Sequence, residues 1–305
     1  MKIKFNLDNT YNERELYYGN QKRYSSMTSI VFINKHLLVC ASYYNKKLYL
    51  IDFNIQKNTY NIIHIINSYG SKNEITSSDL IDYNGEYIVT SNLSSCSISL
   101  YKIENKKIVY IKSIINKEYG LCHGVKFNPF YENIIFFSTS GSKNPKCGVY
   151  AVNYNIKSPS PIFNLTHNNM LAKDLCFSNI NKNLLFVLFS ENAPSPTEMK
   201  IYTCKVIMYS VNIDKNEKEV LYELNFDKTF HGDCIQYHNN KLYVTSQEIN
   251  SEGFIYEISI DDHKLSLNRK INGYSFPHGL DIRYDLIGIT EYGNNSISIS
   301  KFDDL

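Results

Sequence analysis

A chain of 305 residues that is 43% hydrophobic and 20% charged carries enough apolar surface to fold, which excludes a disordered or low-complexity protein. Its 32 basic and 30 acidic residues are interspersed and sum to +2, so no basic face is gathered for nucleic acid. The longest apolar runs, such as 184–189, are strand length and far short of a membrane span, and Met1–Asn6 lacks the apolar stretch of a signal peptide.

In chain order, Lys2–Leu7 alternates apolar and polar as a half-buried strand does. After some twenty further residues a phrase begins that recurs along the chain. It has a polar lead, an apolar strand, an Asn-bearing turn, a second strand ending in small polar residues, and a third strand. Its copies start near Thr28, Ser77, His123, Ala172, His231 and His278, about 46 to 59 residues apart. That period suits a four-stranded propeller blade, and blades bury both faces only by stacking into a ring. The sequence therefore predicts an all-β, six-bladed β-propeller of four-stranded antiparallel blades, one domain over 1–305. Six copies and no Trp count against a seven-bladed WD-type ring. The last copy holds only three strands, so Lys2–Leu7 is expected to supply its outer strand beside 296–302 and close the ring. The spacing widens after blade four, where Pro194 and Pro196 lie in a polar stretch. Residues 191–200 read as an exposed insertion on the face of the histidine cluster, more readily than as a lid.

The seven cysteines are odd in number, form no C-x-x-C and lie in apolar strand patterns. They read as thiols in a reducing, cytoplasmic compartment.

The first strand of a blade lines the channel, so residues at one repeat position converge. His123, His231 and His278 share such a position, with Asp79, Asp174 and Asp233 two residues after the starts of their blades. Second strands end in Asn92, Glu191, Gln247, Glu248 and Glu291, with Tyr292 following. Three imidazoles can hold a zinc-like ion with a position left open. A His–Asp pair can also act as an oriented general base. On this reading His123, His231 and His278 bind the metal, while His231, His278, Asp233 and Glu291 are catalytic. Asp79, Asp174, Asn92, Glu191, Gln247 and Tyr292 would line the substrate. Against it stands a plainer reading, in which His-Gly at a strand start is a structural repeat with the imidazole bonded to the next blade's backbone. A Cys122–His123 pair is disfavoured, because neighbours on a strand face opposite ways. No nucleophile elbow, phosphate loop or H-E-x-x-H occurs.

The segment Phe276-Pro277-His278-Gly279-Leu280-Asp281 with Gly288-Ile289-Thr290-Glu291-Tyr292-Gly293-Asn294-Asn295 resembles blades of the lactonase-like (SMP-30/gluconolactonase) and NHL-repeat propellers. The resemblance implies a six-bladed ring. Sugar lactonases of that group bind a divalent ion, zinc-like or calcium, at the channel. The similar peptidyl-hydroxyglycine lyases hold zinc with inner-strand histidines, a role that would fall to His123, His231 and His278. Two function classes follow: a metal- or His-dependent hydrolase or lyase for a small polar substrate such as a lactone or sugar derivative, and a non-catalytic propeller binding a protein or glycan on its top face.

Overall fold

A computed structural model describes residues 2–7, 16–18, 21–23, 27–70, 73–115, 119–140, 147–156, 159–167, 170–191, 204–226, 229–248, 253–262 and 264–305. It is a six-bladed propeller of four-stranded antiparallel sheets. Blades 1 to 5 run in chain order from the channel outwards. Their inner strands are Met27–Phe32, Ser78–Tyr83, Leu121–Phe127, Met170–Phe177 and Thr229–His238. Blade 6 is built from Pro277–Arg283, Leu286–Glu291 and Ser296–Lys301, and its outer strand is Lys2–Phe5. The N-terminal strand pairs antiparallel with Ser296–Lys301, Lys2 opposite Ser300 and Phe5 opposite Ile297, as the alternation of 2–7 predicts.

The inner strands of successive blades touch all the way round, including blade 6 against blade 1. Burial follows from that stacking. Inner and second strands are buried on both faces, because both faces meet a neighbouring blade. Outer strands such as Thr59–Asn67 keep an exposed side. The richness in Asn has a structural use. Asn58, Asn105 and Asn216 adopt φ near +50° in hairpins between third and outer strands, and Asn239 and Asn240 do so between inner and second strands. Asn tolerates that left-handed backbone better than other side chains except Gly.

A buried carboxylate pins blade 5. Glu257, 1% exposed, accepts from Lys241 Nζ at 2.7 Å, Arg269 Nε at 3.0 Å, Tyr243 Oη at 3.3 Å and Asn268. Burial alone would raise its pKa; the bonds from Lys241, Asn268 and Arg269 overcome that and hold it down at about 2. A carboxyl depressed in the folded state stabilises above its ordinary pKa of about 4.3, and that stability is lost as pH falls towards the folded value. Denaturant unfolding of wild type and Glu257→Gln should therefore differ most at neutral pH. The gap should narrow between pH 4.5 and 2, and a gap independent of pH would refute the role.

None of the seven cysteines forms a disulfide, and burial pushes the thiols of Cys40, Cys176 and Cys234 up. Among the described residues, no helix is long and apolar enough to cross a membrane.

Candidate functional site

Every inner strand breaks its pairing register close to its start. The breaks lie between Met27 and Ser29, Ser78 and Ile81, Cys122 and Val125, Ala172 and Asp174, Gly232 and Ile235, and Pro277 and Leu280. A β-bulge leaves a residue out of the ladder and re-aims its side chain. The residues placed there are Thr28, Asp79, His123, Lys173, Asp233 and His278, one per blade.

A hydroxyl relay confirms the equivalence. The hydroxyls of Ser91, Ser138, Thr245 and Thr290 accept the N–H of Leu80, Gly124, Cys234 and Gly279, each one residue after the ring position. Three of them also donate to the ring carbonyl of the next blade, Ser91 to His123, Ser138 to Lys173 and Thr245 to His278. The same close approach explains the glycines after His123 and His278. A Cβ on Gly279 would sit 2.5 Å from Thr28 O and from Ser29 Cα, and one on Gly124 would sit 2.5 Å from Asp174 Oδ1.

This register corrects the expected repeat alignment. In blade 5 the position equivalent to His123 and His278 belongs to Asp233, because Thr245 bonds Cys234 as Thr290 bonds Gly279. His231 lies two residues earlier, paired with Gln247. The side chains of His231, Gln247 and Glu191 lie outside the described residues, as do residues 192–200 of the insertion. Asp174 does not join Asp79 and Asp233, contrary to strict alternation. The bulge turns Lys173 to the ring, and Asp174, fully buried, accepts from Ile235 N–H at 3.0 Å. Nor do two other expected residues face the funnel freely. Glu291 accepts from Lys4 Nζ at 2.9 Å, Ser298 Oγ at 2.5 Å and Ser275 N–H at 3.0 Å. Burial would raise its pKa, but these partners hold it low, and it serves ring closure. Asn92 accepts from Ser78 and Thr90 and donates to Ser97 and Ser99.

At the ring, opposite blades meet. The imidazoles of His123 and His278, from blades 3 and 6, stack with centroids 6.0 Å apart, so the channel is narrow at that level. His123 Nε2 lies 3.4 Å from Asp79 Oδ2 and 3.6 Å from Asp233 Oδ1. His278 Nε2 lies 3.5 Å from Asp79 Oδ1 and 3.8 Å from Asp233 Oδ1. Lys173 Nζ stands 3.4 Å from His123 Nε2 and 3.8 Å from Asp233 Oδ1. One ligand atom each from Asp79, His123 and His278 all fall within 4.8 Å of one another. The four groups other than Lys173 and Thr28 are nearly buried, at 3%, 5%, 2% and 7% exposure for Asp79, His123, Asp233 and His278. Tyr292 packs against His278 at 5.4 Å. Burial first, then Asp79 and Tyr44, push the Tyr43 phenol up to about 12, so it stays a neutral hydroxyl beside the site.

His278 fixes the chemistry. Its Nδ1–H donates to Thr28 O at 2.8 Å, the bond to the next blade expected of a structural histidine. The same bond orients Nε2 at two carboxylates. A neutral ring so held points a lone pair at Asp79 and Asp233, an arrangement that only a proton or a cation relieves. A backbone carbonyl holding the far nitrogen is also how metal-binding histidines are oriented. The Asp79–His separations of 3.4 and 3.5 Å match a small ion, since bonds of ~2.0–2.2 Å put tetrahedral ligand atoms ~3.3–3.6 Å apart, and the three ligands, within 4.8 Å of one another, would draw in around it. Sequence reasoning missed Lys173, because its side chain reaches the ring only through the bulge.

Below the ring the channel is plugged by a charged layer. Arg283 bonds Asp82 at 2.6 Å and Asp281 at 3.1 Å, while Gln236 donates to Asp281 at 2.8 Å and accepts from Lys126 at 3.1 Å. Asp82 and Asp281 in turn accept the backbone N–H of Phe127 and Phe32 in the next blades. Burial opposes charge on Lys126, but Asp82, Asp174 and Asp281 hold its pKa up and it stays an ammonium.

No family model matches the chain, and no curated protein matches it. Solved propellers do. A Bacteroides uniformis protein provisionally named a 6-phosphogluconolactonase is 14% identical at TM-score 0.62, over 92% of this chain and 83% of that one. The periplasmic gluconolactonase of Pseudomonas aeruginosa is 11% identical at TM-score 0.55, over 88% and 78%. A chain of the nidogen/laminin complex is 11% identical at TM-score 0.59, over 88% and 90%. At these identities the likeness is one of fold alone.

Proposed function

We propose that the ring is the active site of a divalent-metal-dependent hydrolase for a small polar cyclic ester, a lactone of the sugar type. The observation that carries this is His278, whose Nδ1–H is committed to Thr28 O while Nε2 faces Asp79 and Asp233. Asp79, His123 and His278 would hold the ion. Bound there, a divalent ion would acidify water and polarise an ester carbonyl. Asp233 Oδ1 is placed to take the proton from the attacking water, being 3.6 and 3.8 Å from the two imidazoles. Lys173 Nζ, 3.8 Å from Asp233, can swing to donate to the oxygen on which charge develops. Tyr43 and Tyr292 form apolar walls with a polar edge, suited to a sugar ring.

A binding-only propeller remains the second class, and the nidogen/laminin likeness is of that kind. The buried pairing of two imidazoles with two carboxylates favours chemistry over mere adhesion, because converging His and Asp side chains supply the ligands and the base that a hydrolytic site needs. The test is a pH-stat assay of glucono-δ-lactone and simpler γ- and δ-lactones with zinc, manganese or calcium added. Asp233→Asn should keep metal affinity and lower kcat about 10²–10⁴-fold, the usual worth of a general base. Absence of metal-dependent hydrolysis across the panel would remove the lactonase reading.

A further inference from the structure

We propose that the opposite mouth of the channel is a second binding site, built for a neutral oligosaccharide. A cavity of about 1020 Å³ opens there, among the ends of the inner strands and the turns that follow them in blades 2 to 6. It exceeds the ~300–1,000 Å³ of ordinary small-molecule pockets and suits several linked sugar rings. Its wall carries eight aromatics, among them Tyr83, Phe130, Tyr131, Tyr154, Tyr237 and Tyr284. Phe130 and Tyr284 are 40% and 42% exposed, large rings presented to solvent within a concavity. Aromatic faces take the C–H faces of sugars while phenol edges take hydroxyls.

The charges of the floor point to a neutral ligand. Arg283 is spent on Asp82 and Asp281, and Lys126 on Gln236 and the surrounding carboxylates. An anion would therefore meet no cation left to bind it. At the rim Glu86 pairs with Lys102 at 3.0 Å, which removes one attraction for a cation. What the wall does offer is an amide donor. Asn128, 7% exposed, spends Oδ1 on the N–H groups of Phe130 and Tyr131, which fixes its orientation. Its Nδ2 has no hydrogen-bond partner among the described residues. A buried donor so left costs free energy that an oxygen-rich ligand or water would recover. The charged layer separates this mouth from the Asp79 ring, so the proposal does not rest on the lactonase reading.

The experiment is titration calorimetry of the full chain with chitohexaose and with maltohexaose. At least one should bind wild type and Asp79→Asn equally. Tyr284→Ala and Phe130→Ala should each weaken it tenfold or more with the melting temperature preserved; if one variant fails to fold, the other decides. No heat with either sugar, binding indifferent to both rim substitutions, or binding lost in Asp79→Asn would overturn the proposal.

Discussion

Deleting residues 1–8 should cost most of the stability of the ring. Ile3, Phe5 and Leu7 are 1%, 5% and 8% exposed and pack into the cluster that joins blades 6 and 1 with Met27, Phe32 and Phe53. Burying each such side chain contributes about 1.5–3 kcal/mol, so the strand is worth roughly 5–8 kcal/mol, comparable with the whole stability of an ordinary domain. The deletion also removes the Lys4 ammonium from buried Glu291, leaving it only the neutral donors of Ser275 and Ser298 among the partners named, and bares Ser296–Lys301 as an open edge prone to pairing with other chains. Urea unfolding should show a midpoint collapse or outright aggregation. A truncated chain with an unchanged midpoint would contradict closure by the N-terminus.

Asp79→Asn should weaken divalent-ion binding by more than the ~10–100-fold that losing even an outer partner costs at metal sites. Asp79 approaches both imidazoles more closely than Asp233 does, with Oδ2 3.4 Å from His123 and Oδ1 3.5 Å from His278, against 3.6 and 3.8 Å. The amide keeps the shape and removes the charge, so the fold should persist while affinity falls. Calorimetric titration with zinc and with calcium reads the change directly. Equal affinity in wild type and variant would move the ion, if there is one, away from this carboxylate.

The architecture was legible because its determinants are periodic and local. The copies at 77 and 231 show strand, turn and strand in plain residues, and the alternation of 2–7 announced the closing strand. The site was legible only in part. His123, His278, Asp79 and Asp233 were among the expected residues, but a shared repeat position set His231 beside the first two, and strand alternation set Asp174 beside the last two. Both inferences assume an unbroken ladder. A bulge in every inner strand breaks that assumption, and its cause lies between blades: Ser91, Ser138 and Thr245 bind their own strand and the next one at once. One signal was present in the sequence. In Asp79-Leu80, His123-Gly124, Asp233-Cys234 and His278-Gly279 the ring residue stands just before the residue whose N–H meets that hydroxyl, some ten residues ahead of a Ser or Thr. Blade 4 lacks that signal, since Leu188 stands opposite Asp174 where blades 2, 3, 5 and 6 carry a hydroxyl, so Lys173 stayed hidden.

The central claim is that Asp79, His123 and His278 hold a divalent ion. The most direct measurement is the metal content of untagged protein by mass spectrometry, after exchange into buffer containing zinc, manganese and calcium in turn. The account predicts about one ion of one of these metals per chain, retained through gel filtration and lost in His278→Gln. Protein that retains none of the three, with a melting temperature indifferent to all of them, would contradict it.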